Sequence, residues 1–98
     1  MPGIDDNAKI TGSKDAKFIS DLDLTLTTGF QSRAFGFNAT SIIISNDHAT
    51  NYIEYSWNGT DVHGKLFKGE TLFLSRISRS NIYLRGQAGG EEFRVWAW

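Results

Sequence analysis

Asp61 and His63 stand two positions apart in Asp61-Val62-His63-Gly64-Lys65-Leu66, so on an extended strand they share one face and could hold one metal ion together. Two ligands leave a tetrahedral site half filled, and nothing close in sequence supplies a third or fourth. His48, the other histidine, belongs to the polar loop Asn46-Asp47-His48-Ala49-Thr50-Asn51. A solvated polar face and no bound metal are expected. Asp21 and Asp23 repeat the spacing, and paired carboxylates are the equipment of acid–base catalysis. Here they alternate with Leu22, Leu24 and Leu26 and read as the wet face of a strand. Asp5-Asp6-Asn7 lacks the glycine and distant glutamate of a calcium loop. No Gly-x-Ser-x-Gly elbow, Walker loop or His-Glu-x-x-His pair occurs. The chain has no cysteine, which excludes thiolate zinc sites, iron–sulfur clusters, disulfides and cysteine nucleophiles. The expectation is a protein that is not an enzyme and carries no cofactor.

Aromatic side chains carry the remaining chemistry. Trp96 and Trp98 fall on one face of the closing segment, with Val95 and Ala97 on the other. Two readings stand: core residues, or an apolar patch that needs a partner. Tyr52, Tyr55, Trp57 and Tyr83 could stack on sugar rings while Asp47 or Asn51 bonds hydroxyls. A carbohydrate-binding sandwich is therefore the alternative function. It requires those rings to gather in one concave site on a monomer.

The elements that position these residues read as strands. Period-two alternation with turn formers at the ends runs from Ile19 to Trp98, and no segment sustains a helical period. The clearest pair is residues 52–57 and 60–66, joined by a tight turn at Asn58-Gly59. Ile42, Ile43 and Ile44 in succession mark a central strand covered on both faces. Gly36 between Phe35 and Phe37 marks a bulge or a close backbone approach. Residues 75–81, rich in Ser and Arg, read as a loop with Ile77 tucked in. The fold class expected is all-β, an antiparallel two-sheet β-sandwich, jelly-roll-like, with seven or eight short strands. Its core is Leu22, Leu24, Leu26, Ile42, Ile44, Ile53, Tyr55, Leu72, Leu74, Ile82, Leu84 and Val95.

A chain of 98 residues is one domain. Residues 1–16 read as an extended or flexible N-terminal arm and residues 17–98 as the sandwich. In the arm only Ile4 and Ile10 could anchor, either nowhere or on a neighbouring subunit. The net charge is -1 and the basic residues are scattered among acids, which argues against nucleic acid. No apolar run reaches the ~20 residues of a membrane helix, so no membrane is expected. The polar start has no basic and then apolar leader pattern. Asn38-Ala39-Thr40 and Asn58-Gly59-Thr60 fit the glycosylation sequon, but Asn58 is better explained by its turn.

The segments Ser41-Ile42-Ile43-Ile44-Ser45-Asn46, Tyr55-Ser56-Trp57-Asn58-Gly59, Gly64-Lys65-Leu66, Lys68-Gly69-Glu70, Ile82-Tyr83-Leu84-Arg85-Gly86 and Arg94-Val95-Trp96-Ala97-Trp98 carry a resemblance. Over residues 34–98 the chain resembles small β-sandwich structural proteins of tailed-bacteriophage virions, the decoration, collar or tail-associated class. The resemblance implies a many-copy, non-enzymatic structural protein bound to itself and to other capsid, neck or tail subunits. It implies assembly in the host cytoplasm and residence in the virion, as a homo-oligomer. Ile4, Ile10, Trp96 and Trp98 are the contact residues expected.

Overall fold

The computed structural model describes residues 16–98, which form six strands and no helix. The strands are β1 (Lys17–Ser20), β2 (Gln31–Asn46), β3 (Ile53–Ser56), β4 (Gly64–Leu66), β5 (Thr71–Gly86) and β6 (Phe93–Ala97). They make one antiparallel sheet in the order β1-β6-β2-β5-β3-β4. The all-β antiparallel class holds. The seven or eight short strands do not, because β2 and β5 each run for 16 residues and pair along most of their length.

The expected loop at residues 75–81 is the middle of β5. Its polar side chains stay in solvent while its backbone pairs with β2, so a shortage of apolar residues did not mean a shortage of hydrogen bonds. The pairing slips between Ala34 and Ala39 and again between Ala39 and Ser41. Gly36 at φ 88° and Arg76 at φ 58° absorb the resulting bends. The bulge expected at Gly36 is present; the close approach is not, since nothing lies within 4 Å of where its Cβ would be.

At one end of this spine β6 adds to β2 and β1 adds to β6; at the other, β3 adds to β5 and β4 to β3. Residues 41–45 thus sit between two strands, the central place their isoleucines implied, but the second face is not covered: Ile42 and Ile44 are buried while Ile43 is half-buried on the outward face. Both ends feed one buried cluster, with Ile42, Ile44, Phe93 and Val95 from the first and Ile53, Leu66, Ile82 and Leu84 from the second. The buried Asn46 amide ties them: Nδ2 donates to Asn51 O and Leu66 O at 2.9 Å each, and Oδ1 accepts the His48 N–H at 3.0 Å.

Two local expectations are corrected. Residues 21–26 are not a strand. Ser20 O accepts the N–H groups of Asp23 and Leu24, and the Asp23 carboxylate accepts the Ser20 N–H, so the chain turns. Short Ser and Asp side chains offer the backbone local bonds that compete with a sheet ladder. Leu24 and Leu26 still reach the core, but Leu22, expected there, is 92% exposed. The hairpin of β3 and β4 exists, yet residues 57–63 connect it rather than a two-residue turn. Ser56 Oγ accepts the Asn58 and Gly59 N–H groups, and Asn58 Oδ1 those of Thr60 and Asp61, which stabilises the wider loop. Gly59 keeps the left-handed backbone expected of it, at φ 78°.

Candidate interaction face

The sheet register lines up one residue from each of four adjacent strands. Phe18 on β1 lies opposite Trp96 on β6, Trp96 opposite Ile43 on β2, and Ile43 opposite Phe73 on β5. Residues directly opposite share a face. Their chain neighbours Val95, Ala97, Ile42 and Ile44 are buried in the core, so the row points away from it. Phe18 is 47% exposed, Phe73 58% and Trp98, just beyond β6, 42%. At roughly 200 Å² per aromatic side chain, these three leave about 300 Å² of apolar surface in solvent.

The face is ordered. Phe18 packs on Trp96 with ring centroids 5.1 Å apart, and Phe73 stacks on Trp98 at 6.1 Å. Trp98 is held by its backbone, whose carbonyl accepts the Thr40 and Ser41 N–H groups and whose N–H donates to Ser41 O. Ala16 and Lys17 join Phe18, Ile43, Trp96 and Trp98 in lining a shallow groove of about 660 Å³.

The other end of the sheet finishes its outward face differently. Glu54 lies opposite Lys65 on one side and Arg85 on the other, with its carboxylate 3.6 Å from Lys65 Nζ and 2.7 Å from Arg85 Nε. Lys65 in turn covers the Tyr52 ring and Arg85 the Phe30 ring, each at 4.2 Å. This end thus presents a row of ions with cation-capped rings, beside the exposed Phe67. The row of Phe18, Trp96, Ile43 and Phe73 has charge at one corner, where Arg94 lies 5.2 Å from the Trp96 centroid and forms a two-pronged bond with Asp47.

The remaining sequence candidates occupy other roles. Ile4 and Ile10 lie outside the described residues. Tyr55 is in the core, where burial pushes its hydroxyl pKa up, with Trp57 edge-on at 5.5 Å. Tyr83 lies opposite Ser56, on the other face of the sheet from Tyr55. Tyr52 is capped by Lys65, and Trp57 by Arg79 at 5.0 Å. The four rings of the glycan alternative are therefore split between two faces, and Tyr55 is not free to stack.

Both histidines hold loops. His48 Nδ1 accepts the Thr50 and Asn51 N–H groups, and His63 Nδ1 accepts that of Trp57. Asp61 and His63 lie before β4 rather than on a strand, and Asp61 accepts a bond from the Asn58 amide. Asp21 and Asp23 bind the turn that contains them or the Phe93 N–H. Among the described residues, no three His, Asp or Glu side chains converge on a metal position.

Sequence reasoning missed Phe18, Ile43 and Phe73. Ile43 and Phe73 were the odd members of apolar runs, and only the cross-strand register puts them beside Trp96. Neither the family models nor the curated proteins searched match this chain.

Proposed function

We propose that this chain is a non-enzymatic structural protein that works by association, with the outward face of β1, β6, β2 and β5 as its contact surface. The observation that carries the reading is the row of Phe18, Trp96, Ile43 and Phe73, with Trp98 beside it, on four paired strands with Trp98 held to β2 by backbone hydrogen bonds. Interface centres concentrate Trp and Phe in this way, and rigid rings lose little entropy on contact. Trp96 and Trp98 act as the apolar patch, while Val95 and Ala97 serve the core.

The two-layer architecture belongs to the same reading. Residues 47–52 connect β2 to β3 and span at most about 20 Å, whereas the 16 residues of β2 extend about 50 Å. Since β3 pairs with the far end of β5, the β2–β5 spine must bend until its ends meet. We read one sheet folded into a jelly-roll-like sandwich, with Asn46 and the core cluster between the layers. The virion assignment rests on the resemblance of residues 34–98 alone. On that basis the chain is a many-copy decoration, collar or tail-associated module of a phage particle, binding itself and neighbouring capsid, neck or tail subunits.

Light scattering over a concentration series tests the contact surface. Phe73→Asp changes a side chain that is more than half exposed and outside the core cluster, and is expected to keep the β-sheet circular dichroism. It should move self-association to concentrations about tenfold higher or more. Identical association by wild type and variant removes this face from the proposal, and specific glycan binding by a monomer would install the lectin alternative instead.

A further inference from the structure

Over residues 71–75, β5 pairs with β2 on one side, and it meets β3 only over residues 83–86, so residues 71–75 have no strand on their other side. The Asn46 N–H donates to Glu70 O, so Glu70, and with it Leu72 and Leu74, turns its backbone groups to β2. Thr71, Phe73 and Ser75 therefore aim their N–H and C=O groups out from an open edge. We propose that this edge pairs antiparallel with the same edge of a second copy, with Phe73 opposite the partner's Phe73. The inference rests on the reading of the chain as one that associates, and adds the geometry of its first step.

The edge is its own complement. In Glu70-Thr71-Leu72-Phe73-Leu74-Ser75-Arg76, a register centred on Phe73 sets Thr71 opposite the partner's Ser75, Leu72 opposite the partner's Leu74 and Glu70 opposite the partner's Arg76. Two-fold symmetry repeats each pair, so opposite charges close both ends of the seam. Each of the three facing pairs of outward residues exchanges two N–H···O bonds. Leu72 and Leu74, half-buried against the core, gain apolar neighbours across the seam. Arg76 is exposed and in no ion pair among the described residues, and the seam gives it a carboxylate. Its φ of 58° bends the chain directly after Ser75, where the seam ends.

Natural sheets guard their edges, and this sheet guards its others. At β1, the Ser20 N–H donates to the Asp23 carboxylate and Ser20 O accepts the Asp23 and Leu24 N–H groups. β4 is three residues long with Lys65 at its centre. The stretch of β2 that β6 leaves uncovered is bent by Gly36 at φ 88°. Residues 71–75 carry no charge, proline, glycine or register shift. The axis of such a pair stands normal to the sheet, so both aromatic faces lie on one side and the ~300 Å² of each copy adjoin. The face stays in solvent at this step, and contacts through it then join pairs to one another or to other subunits.

Charge reversal on the full chain tests the seam by light scattering, with circular dichroism to confirm the fold. Arg76→Glu alone and Glu70→Lys alone each set like charges opposite one another and should pair only at concentrations about tenfold higher than wild type. Their equimolar mixture restores both ion pairs and should pair as wild type does. Amide exchange at Thr71, Phe73 and Ser75 should slow about tenfold or more on pairing. Variants that pair like wild type, or a mixture no better than its components, overturn the seam, as does a wild-type chain that stays monomeric. Phe18→Asp, which changes the face and not this edge, separates the two readings: it should stop at twice the monomer mass. If it blocks pairing while the charge variants do not, the face stands and the seam falls. If the mixture recovers pairing and Phe18→Asp still grows beyond the pair like wild type, the seam stands and the face reading falls.

Discussion

The ring of Trp98 stacks on that of Phe73 with centroids 6.1 Å apart and planes 16° from parallel, although β2 separates their strands. Trp98 sits against Ser41, a side chain small enough to let two large rings meet over it. The stack is a surface feature, so its removal should barely affect folding. Phe73→Ala is expected to cost about 0.5–1.5 kcal/mol, against about 2–5 kcal/mol for Ile44→Ala in the core. Urea denaturation of the two variants measures the contrast.

Two positive-φ glycines separate backbone strain from steric clash. A Cβ at Gly59 would lie 2.8 Å from the Tyr83 ring, while Gly36 has open space around it. Gly36→Ala is expected to cost about 1 kcal/mol from its left-handed backbone alone. Gly59→Ala should cost about 2–3 kcal/mol, and its thermal midpoint should fall clearly further than that of Gly36→Ala.

Glu91 ties the loop before β6. Its fully buried carboxylate accepts bonds from the Ala88 and Gly89 N–H groups and from the Asn51 amide. Burial by itself raises its pKa, but these bonds together outweigh it and hold the carboxyl below its ordinary value of 4.5. The unfolded chain therefore takes up a proton that the folded chain refuses. The stability Glu91 contributes is complete above its unfolded value and is lost as pH falls through the folded one. Glu91→Gln is expected to be less stable than wild type at neutral pH, with the gap closing in acid. Urea midpoints followed from neutral pH to about pH 3 read this directly.

Asn46 joins the end of β2 to β4 and to the loop at residues 47–52 through three bonds in a buried setting. Asn46→Ala leaves buried backbone groups unpaired and is expected to cost about 2–4 kcal/mol. Asn46→Asp should be no milder, because it removes both donated bonds. Chemical denaturation of the pair checks this.

Much of the sheet was legible because alternation is a local signal. The residues 41–45, 82–84 and 93–97 gave their buried faces directly, since neighbours on a strand point opposite ways. Residues 21–23 misled because Asp-Leu-Asp alternates like a strand while Ser20 and Asp23 bond their own backbone. Residues 75–81 misled because a ribbon can pair through its backbone with no apolar face to announce it. Trp96 and Trp98 were visible as candidates, but the row was not, since Phe18, Ile43 and Phe73 are brought together only by register between distant strands.

Iodide quenching of tryptophan fluorescence, in a Trp57→Phe background so that Trp96 and Trp98 alone report, tests the central claim most directly. It is to be followed as the chain associates under light scattering. Quenching should fall about severalfold as the mass rises, because the aromatic face passes out of solvent on contact. Association with quenching unchanged would mean that the chain meets its partners through some other surface.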